Sequence, residues 1–286
     1  MKPIFIKPAS SLPVPKHPGG NSGFKSILVL LNLLILVPLL YVVVISFQSQ
    51  EEYYKMLLPR TLHWANYRNI LFNPAFWRWT LNSGVIAAGT LTLVLLTGSM
   101  AGYVAAKFAS RWIRGLSLLI LGALMIPIHM VLMPVFVLSR QMGILNTPWS
   151  VIGPGVAFGI PLAMYIFRGF FMNIPDSLIE SARLDGCGEL GVFLQIMLPM
   201  TKPAIATVGI FTLLGSWNGF LFPLTLLQES NMYTLPVGLA TIGTQYFNNY
   251  PAQAAAMLLA GLPLILLYAR FNKLVIRGMI EGALKG

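Results

Sequence analysis

Six apolar stretches, each about as long as a lipid bilayer is thick, leave this chain few folds to choose from. They run roughly Ile27–Phe47, Trp79–Ala106, Leu116–Leu138, Trp149–Phe171, Ala204–Leu227 and Ala252–Phe271, and none holds an Asp or Glu. A helix needs about 20 such residues to cross the hydrocarbon core. Each stretch also carries Pro, Gly or a small polar residue, for example Pro38, Pro127, Pro161, Pro223 and Pro263. Membrane helices tolerate these breakers because neighbouring helices re-satisfy the freed backbone groups. Only 9% of residues are charged and mean hydropathy is +0.75, whereas a soluble domain carries roughly a quarter charged residues. The expected fold is all-α: a polytopic transmembrane helical bundle of about six spans.

Basic residues give the expected orientation. With the amino terminus in the cytoplasm, five of the 19 Lys and Arg fall outside: Lys55, Arg60, Arg68, Arg78 and Arg140. The remaining fourteen fall inside, the bias that cytoplasmic loops carry. Both termini are therefore expected in the cytoplasm, and the basic excess reports topology rather than nucleic-acid binding. Trp64, Trp77 and Trp79 suit the outer membrane interface. Residues 1–24, rich in Pro, Ser and Gly, read as a flexible cytoplasmic tail. The first stretch is too long for a signal peptide and lacks an A-x-A-like site, so it reads as uncleaved. Gly23-Phe24-Lys25-Ser26 is no phosphate loop, which needs Gly-Lys adjacent after a strand. No nucleotide site, metal site or catalytic group is expected. Cys187 is the single cysteine, which excludes an internal disulfide, and it reads as a small turn residue. His17, His63 and His129 form no ligand motif.

Half of the eight acidic residues lie in one polar island at about 174–203: Asp176, Glu180, Asp185 and Glu189. The topology puts it inside, between the fourth and fifth stretches. Pro175 suits a helix start, and Asp176 and Glu180 fall in the first turns, where the helix dipole favours negative charge. They share one face at i, i+4, with Ser177, Ser181 and Ala182 leaving room for another surface. Asp185-Gly186-Cys187-Gly188 breaks the helix, and Gly186 stands where positive φ is often needed. Leu190, Phe193, Leu194 and Met197 then form an apolar stripe at helical spacing, read as packing against the chain's own spans. Leu198-Pro199 and Lys202-Pro203 are expected to end that second helix.

These residues resemble a known pattern. Glu180-Ser181-Ala182, three residues, Gly186, nine residues and Ile196-Met197-Leu198-Pro199 is similar to the "EAA" loop of ABC-importer permeases, with Ser181 in place of the first alanine. Ser216-Trp217-Asn218-Gly219-Phe220 resembles the WNEF segment of carbohydrate-importer permeases, with Gly219 for the usual Glu. Tyr233-Thr234-Leu235-Pro236-Val237-Gly238 follows as in that group. The closing 271–286 resembles the carboxyl terminus of the maltose-type subunit. The resemblance covers residues 25–286, taken as one ABC-importer transmembrane domain with a short cytoplasmic coupling helix pair.

The resemblance implies a permease subunit that passes a sugar or oligosaccharide across a bacterial or archaeal cytoplasmic membrane. It implies as partners a second permease in a heterodimer, two ABC ATPase subunits that bind the ATP and Mg, and an extracytoplasmic solute-binding protein. Glu180, Ser181, Ala182, Asp185, Gly186, Leu198 and Pro199 would couple to the ATPase, and the tail 278–286 would also reach it. Trp217 and Asn218 suit the apolar face and hydroxyl edge of a sugar, or only bridge helices. Asn82, Tyr165 and Gln253 are further candidates for the cargo path. The Gly98-x-x-x-Gly102 and Gly155-x-x-x-Gly159 spacings permit close helix contacts. A secondary transporter is disfavoured, because coupled carriers place carboxylates within their spans. The same machine for glycerol phosphate or another anion is the alternative, disfavoured because mid-span positions hold no Arg or Lys.

Overall fold

The computed structural model describes residues 22–56, 58–108, 110–245 and 249–283. Most of the expected tail 1–24 and the last three residues lie outside them, as do the side chains of 271–286. All regular structure among the described residues is helical. Helix α1 spans Ser22–Ser46, α2 Gln50–Tyr54, α3 Ala65–Leu71, α4 Pro74–Lys107, α5 Arg111–Gly122, α6 Ile128–Gln141 and α7 Pro148–Met172. Then come α8 (Asp176–Leu184) and α9 (Glu189–Gly191), the latter running through a π-helical turn, Val192–Met197, into α10 (Leu198–Met200). The chain closes with α11 (Lys202–Trp217), α12 (Leu221–Leu226), α13 (Leu235–Gln245) and α14 (Tyr250–Ala283).

Among the described residues, four segments are long and apolar enough to cross a bilayer unaided: Lys25–Ser46, Pro74–Lys107, Pro148–Met172 and Tyr250–Arg270. The expected third and fifth spans are not continuous helices. In the third, α5 and α6 meet at 103°. Pro127 sits at the corner with extended backbone, and Ile126 before it is extended too, at ψ 115°. A proline ring drives the preceding residue out of the helical region in this way. In the fifth, α11 stops at Trp217, and its 16 residues reach about 24 Å. After the break, α12 carries the chain to Leu226 with Pro223 in its first turn, where a missing N–H leaves no bond unmade.

Helices α4 and α7 form the spine. A Cβ added to Gly98 would lie 2.5 Å from the Ala163 Cβ, one on Gly102 2.6 Å from the Phe167 Cβ, and one on Gly159 2.7 Å from a Val94 methyl. Gly155 faces Thr90 in the same way. The pairings advance by four residues on both helices at a constant offset, so α4 and α7 run parallel. The two small-x-x-x-small spacings thus belong to one interface, and its backbones approach as closely as dispersion packing in lipid rewards. By contrast the outward residues of α1 are bare apolar surface, Leu30 and Leu34 being two-thirds exposed.

Candidate coupling surface and cargo path

Helix α8 opens after Pro175 and ends in a glycine-capped turn. Gly186 has φ +86°, its N–H donates to the Arg183 carbonyl (3.1 Å), and the Cys187 N–H donates to the Ala182 carbonyl (2.9 Å). This pair of bonds is the Schellman arrangement, which closes the last open carbonyls of a helix through a residue of positive φ. A Cβ at Gly186 would meet nothing within 4 Å, so backbone conformation and not space selects glycine here.

The chain then turns back through Glu189–Met200, and the π-turn changes which side chains face inward. Val192, Phe193 and Met197 are buried, whereas Leu190 is 63% exposed and Leu194 about half exposed. The expected stripe of Leu190, Phe193, Leu194 and Met197 is corrected accordingly. A π-turn adds a residue to the turn, so 3.6-residue periodicity no longer holds. Pro199 follows it directly, and the wider turn relieves the clash its ring would make with the carbonyl four residues back. Two further expectations change. Lys202-Pro203 begins α11 rather than ending the second helix, which is where proline's missing N–H is harmless. Ala182 faces inward at 6% exposure, not outward.

The inner face of this bracket belongs to the core of the spans. Ile174, Ile179, Ala182, Val192, Phe193 and Met197 share one buried cluster with Val94, Tyr103, Ala163, Phe167, Phe171, Ala204 and Val208. The Tyr103, Phe171 and Phe193 rings meet edge-on or tilted with centroids 5.4–6.4 Å apart. Two polar tethers add direction. Lys107, at the end of α4, donates to Asp176 and to the Ile174 carbonyl, both at 2.7 Å. Tyr103 donates to Glu189 (3.1 Å), which also pairs with Arg183 at 2.6 Å. Asp176 is therefore committed to the chain's own α4.

The outer face is bare. Glu180, Ser181 and Asp185 are exposed, and the Glu180 carboxylate has no hydrogen bond or ion pair among the described residues. Ser181 bonds only back to the Ser177 carbonyl, at 2.9 Å. Leu198 packs against the core while Pro199 is exposed. One turn beyond Glu180 stands Leu184, 89% exposed. Leu184 was missed at the sequence level, and Leu190 was read there as packing inward. Their signal was there, in apolar side chains flanking the Gly186 turn on the face opposite Ile179 and Ala182.

The candidate path residues lie on α4, α7 and α14 and at the end of α11. The Trp217 indole donates to the Ala260 carbonyl of α14 (3.3 Å) and packs against the buried cluster that includes Phe76, Trp79 and Leu235. Asn218 is exposed at the end of α11. Asn82 donates to the carbonyls of Asn231 (2.8 Å) and Tyr233 (3.0 Å). Tyr165 is 58% exposed on α7, and Gln253 is half-buried on α14. Beside the break after Trp217 lies a cavity of about 300 Å³ among α4, α7, α11 and α12, lined on its polar side by Thr90, Thr212 and Ser216 and by no charged residue. The Thr90 hydroxyl is buried without a partner there.

Comparison with known proteins decides what carries this bracket. The family described as the inner membrane component of binding-protein-dependent transport systems matches residues 94–281. This chain belongs to that family. The permease is 36% identical over 255 residues to the arabinooligosaccharides transport system permease of Halalkalibacterium halodurans, covering 87% of this chain and 91% of that one. It is 32% identical to the diacetylchitobiose uptake system permease of Streptomyces coelicolor, over 91% and 87% of the two chains. In fold it matches a bacterial ABC transporter involved in import of the acidic polysaccharide alginate, with TM-score 0.74 and 23% identity over 91% of this chain and 99% of that one. The permease is thus membrane-integral and a transport subunit, and the bracket lies within the matched family region.

Proposed function

We propose that the permease imports a sugar or oligosaccharide as one of two membrane subunits of an ATP-driven machine in a bacterial or archaeal cytoplasmic membrane. Both of its termini, and the bracket of α8 and the Glu189–Met200 helix, face the cytoplasm. Two ATPase subunits bind ATP and Mg²⁺, and this chain performs no chemistry. An extracytoplasmic binding protein delivers cargo from the other side. The relatives named for arabinooligosaccharide and diacetylchitobiose uptake support the cargo class, and so does an uncharged cavity with free hydroxyls. An anionic cargo would call for Arg or Lys there.

One observation carries the mechanism: the bracket is bare outside and continuous with the core of α4, α7 and α11 inside. A groove on the ATPase that closes around Glu180 and Leu184 would move the bracket as a body. That motion passes to the spans through packed side chains, because close-packed interiors transmit displacement rather than absorb it. ATP thereby biases a two-state equilibrium of the membrane bundle.

Gly186→Asp and Glu180→Lys test this reading. A non-glycine residue at φ +86° costs about 1–2 kcal/mol and displaces the second helix. Charge reversal at Glu180 opposes the docked surface. Both variants should reach the membrane at normal level, lose ATPase subunits during purification and fail in uptake. Gly186→Asp complexes that keep their ATPase and import at the wild-type rate would refute the assignment.

A further inference from the structure

A second concavity, about 470 Å³, opens where the ends of α4 and α7 meet the start of α5. Its lining is amphipathic. Lys107, Arg114 and Arg168 bring three cations, Asp176 the single carboxylate, and Ser110 and Ser117 two hydroxyls. Ile113, Leu118, Leu121 and Met172 supply an apolar wall. Lys107 is occupied by Asp176 and the Ile174 carbonyl, so that ion pair cancels and the two arginines are left in excess. The Arg168 Nε donates to the Ala105 carbonyl (3.3 Å), which anchors the guanidinium at the pocket and leaves its terminal N–H groups to a ligand. Arg114 is exposed and has no carboxylate partner among the described residues.

The setting selects the ligand. Helix α5 buries none of its residues and shows lipid-type surface: Trp112 is 89% exposed, Leu116 59% and Leu119 72%. A tryptophan at the end of an apolar helix marks the headgroup level. The pocket therefore opens sideways at a membrane interface, its cations level with phosphates and its apolar wall continuous with the hydrocarbon-facing side of α5. A soluble anion would use the arginines and leave that wall bare. A phospholipid uses both.

We propose that this pocket holds an anionic phospholipid of the cytoplasmic leaflet, its phosphate between Arg114 and Arg168 and an acyl chain against Ile113, Leu118 and Leu121. The leaflet assignment rests on the orientation proposed above. Basic pockets between spans on that side are suited to anionic headgroups, at about 1 kcal/mol per cation. The lipid would bridge the rim of α5 to the α4–α7 spine beside Asp176, the first residue of the bracket.

The test uses the whole transporter, purified from mixed vesicles of phosphatidylglycerol and phosphatidylcholine, with retained lipid counted by native mass spectrometry. Wild type should retain phosphatidylglycerol preferentially. Arg114→Gln, at an exposed side chain that folding does not need, should lower the ratio of retained phosphatidylglycerol to phosphatidylcholine about fivefold, and Arg114→Gln with Arg168→Gln about thirtyfold. Arg140→Gln, at the far end of α6, should leave it unchanged. An unaltered ratio in the single and double variants overturns the proposal. So does release of the lipid by inorganic phosphate, which would make this a site for small anions. ATPase retention is scored on the same preparations. It should stay at the wild-type level in Arg114→Gln, so a failed lipid site and a failed docking surface give different results.

Discussion

The two ends of α4 are built on opposite plans. At its C-terminal end the helix holds the bracket by a buried apolar face and two tethers, Lys107 to Asp176 and Tyr103 to Glu189, whose carboxylates are 75% and 50% exposed. On the outward half of the bracket Glu180, Ser181, Leu184 and Asp185 are exposed. At its N-terminal end α4 grips the segment 230–238 closely. Trp79 donates to the Ser230 carbonyl at 2.7 Å, Asn82 to two more carbonyls, and the Ser83 hydroxyl takes the Leu235 N–H at 2.8 Å. Trp79, Asn82 and Ser83 lie on one face at i, i+3 and i+4, and Gly238 lies flush against the Trp79 ring. Four bonds made by three neighbouring side chains, one of the bonds buried, hold one geometry, while isolated exposed pairs are worth little and shift readily. One end is a fixed joint and the other an open surface.

Substitution at Gly238 should break the fixed joint outright. A Cβ there would overlap the indole of Trp79, and overpacking of this kind costs about 1–3 kcal/mol or more. Gly238→Val should lower the thermal midpoint of the purified transporter and its level in the membrane more than any bracket substitution does. A midpoint equal to wild type would show that the joint is looser than its geometry.

Leu184 sharpens the other side. Since it is 89% exposed, Leu184→Asp should leave the stability of the permease unchanged. If Leu184 anchors the docked ATPase, losing a buried apolar contact at an interface centre costs about 2 kcal/mol. ATPase retention should then fall by over tenfold. Wild-type retention would assign the contact to Glu180 alone.

The tether at Glu189 should matter less. Glu189→Gln keeps the shape but weakens the bonds from Arg183 and Tyr103, each worth about 1 kcal/mol when charge-assisted and partly exposed. Uptake should drop a few-fold with ATPase subunits still bound, so that transport per ATP hydrolysed falls. An equal loss of both would place Glu189 in the docking surface instead.

The smallest effect is expected in the loop after α1, which belongs to neither plan. Ser49 and Glu52 form a capping box there, and Glu52 also accepts the Arg60 N–H at 3.1 Å. Hydrogen bonds from the Ser49 and Arg60 backbone hold the Glu52 carboxyl below its ordinary value of 4.5. A lowered folded-state value means stability that is complete above the ordinary glutamate range and lost as pH falls through the lowered one. Exchange of the Ser49 and Arg60 amides, corrected for intrinsic rate, should accelerate only as pH falls below the ordinary value of 4.5. Acceleration beginning near neutrality would remove Glu52 from the cap.

Much of the proposed coupling surface was legible because its determinants are local. The acidic first turn, the break at Asp185-Gly186 and the positive φ of Gly186 all follow from residues within one helical turn of each other. The tethers were not legible. Tyr103 and Glu189 are 86 residues apart and Lys107 and Asp176 are 69 apart, and no periodicity marks a tyrosine or lysine inside a helix as half of such a pair. The π-turn escaped for a related reason. The local pattern fits a regular helix, and packing of Phe193 and Met197 into the core, with Pro199 behind them, selects the wider turn. Trp217 and Asn82 drew notice as polar groups in apolar spans, yet their hydrogen-bond donors are spent on Ala260, Asn231 and Tyr233. Only the fold brings those carbonyls within reach.

By itself the sequence determined that this chain crosses a membrane as helices, that a break falls at Gly186, and which loop stands apart as polar. Hydrophobic length, proline sterics and the glycine backbone act within a few residues, so they can be read along the chain. Tertiary structure alone decided that α4 and α7 are the parallel spine, that the glycines at 98, 102 and 159 face Ala163, Phe167 and Val94, and that Ala182 turns inward while Leu184 turns out. Those outcomes depend on which surfaces meet across tens of residues, and close packing between them is a property of the pair that neither segment carries alone.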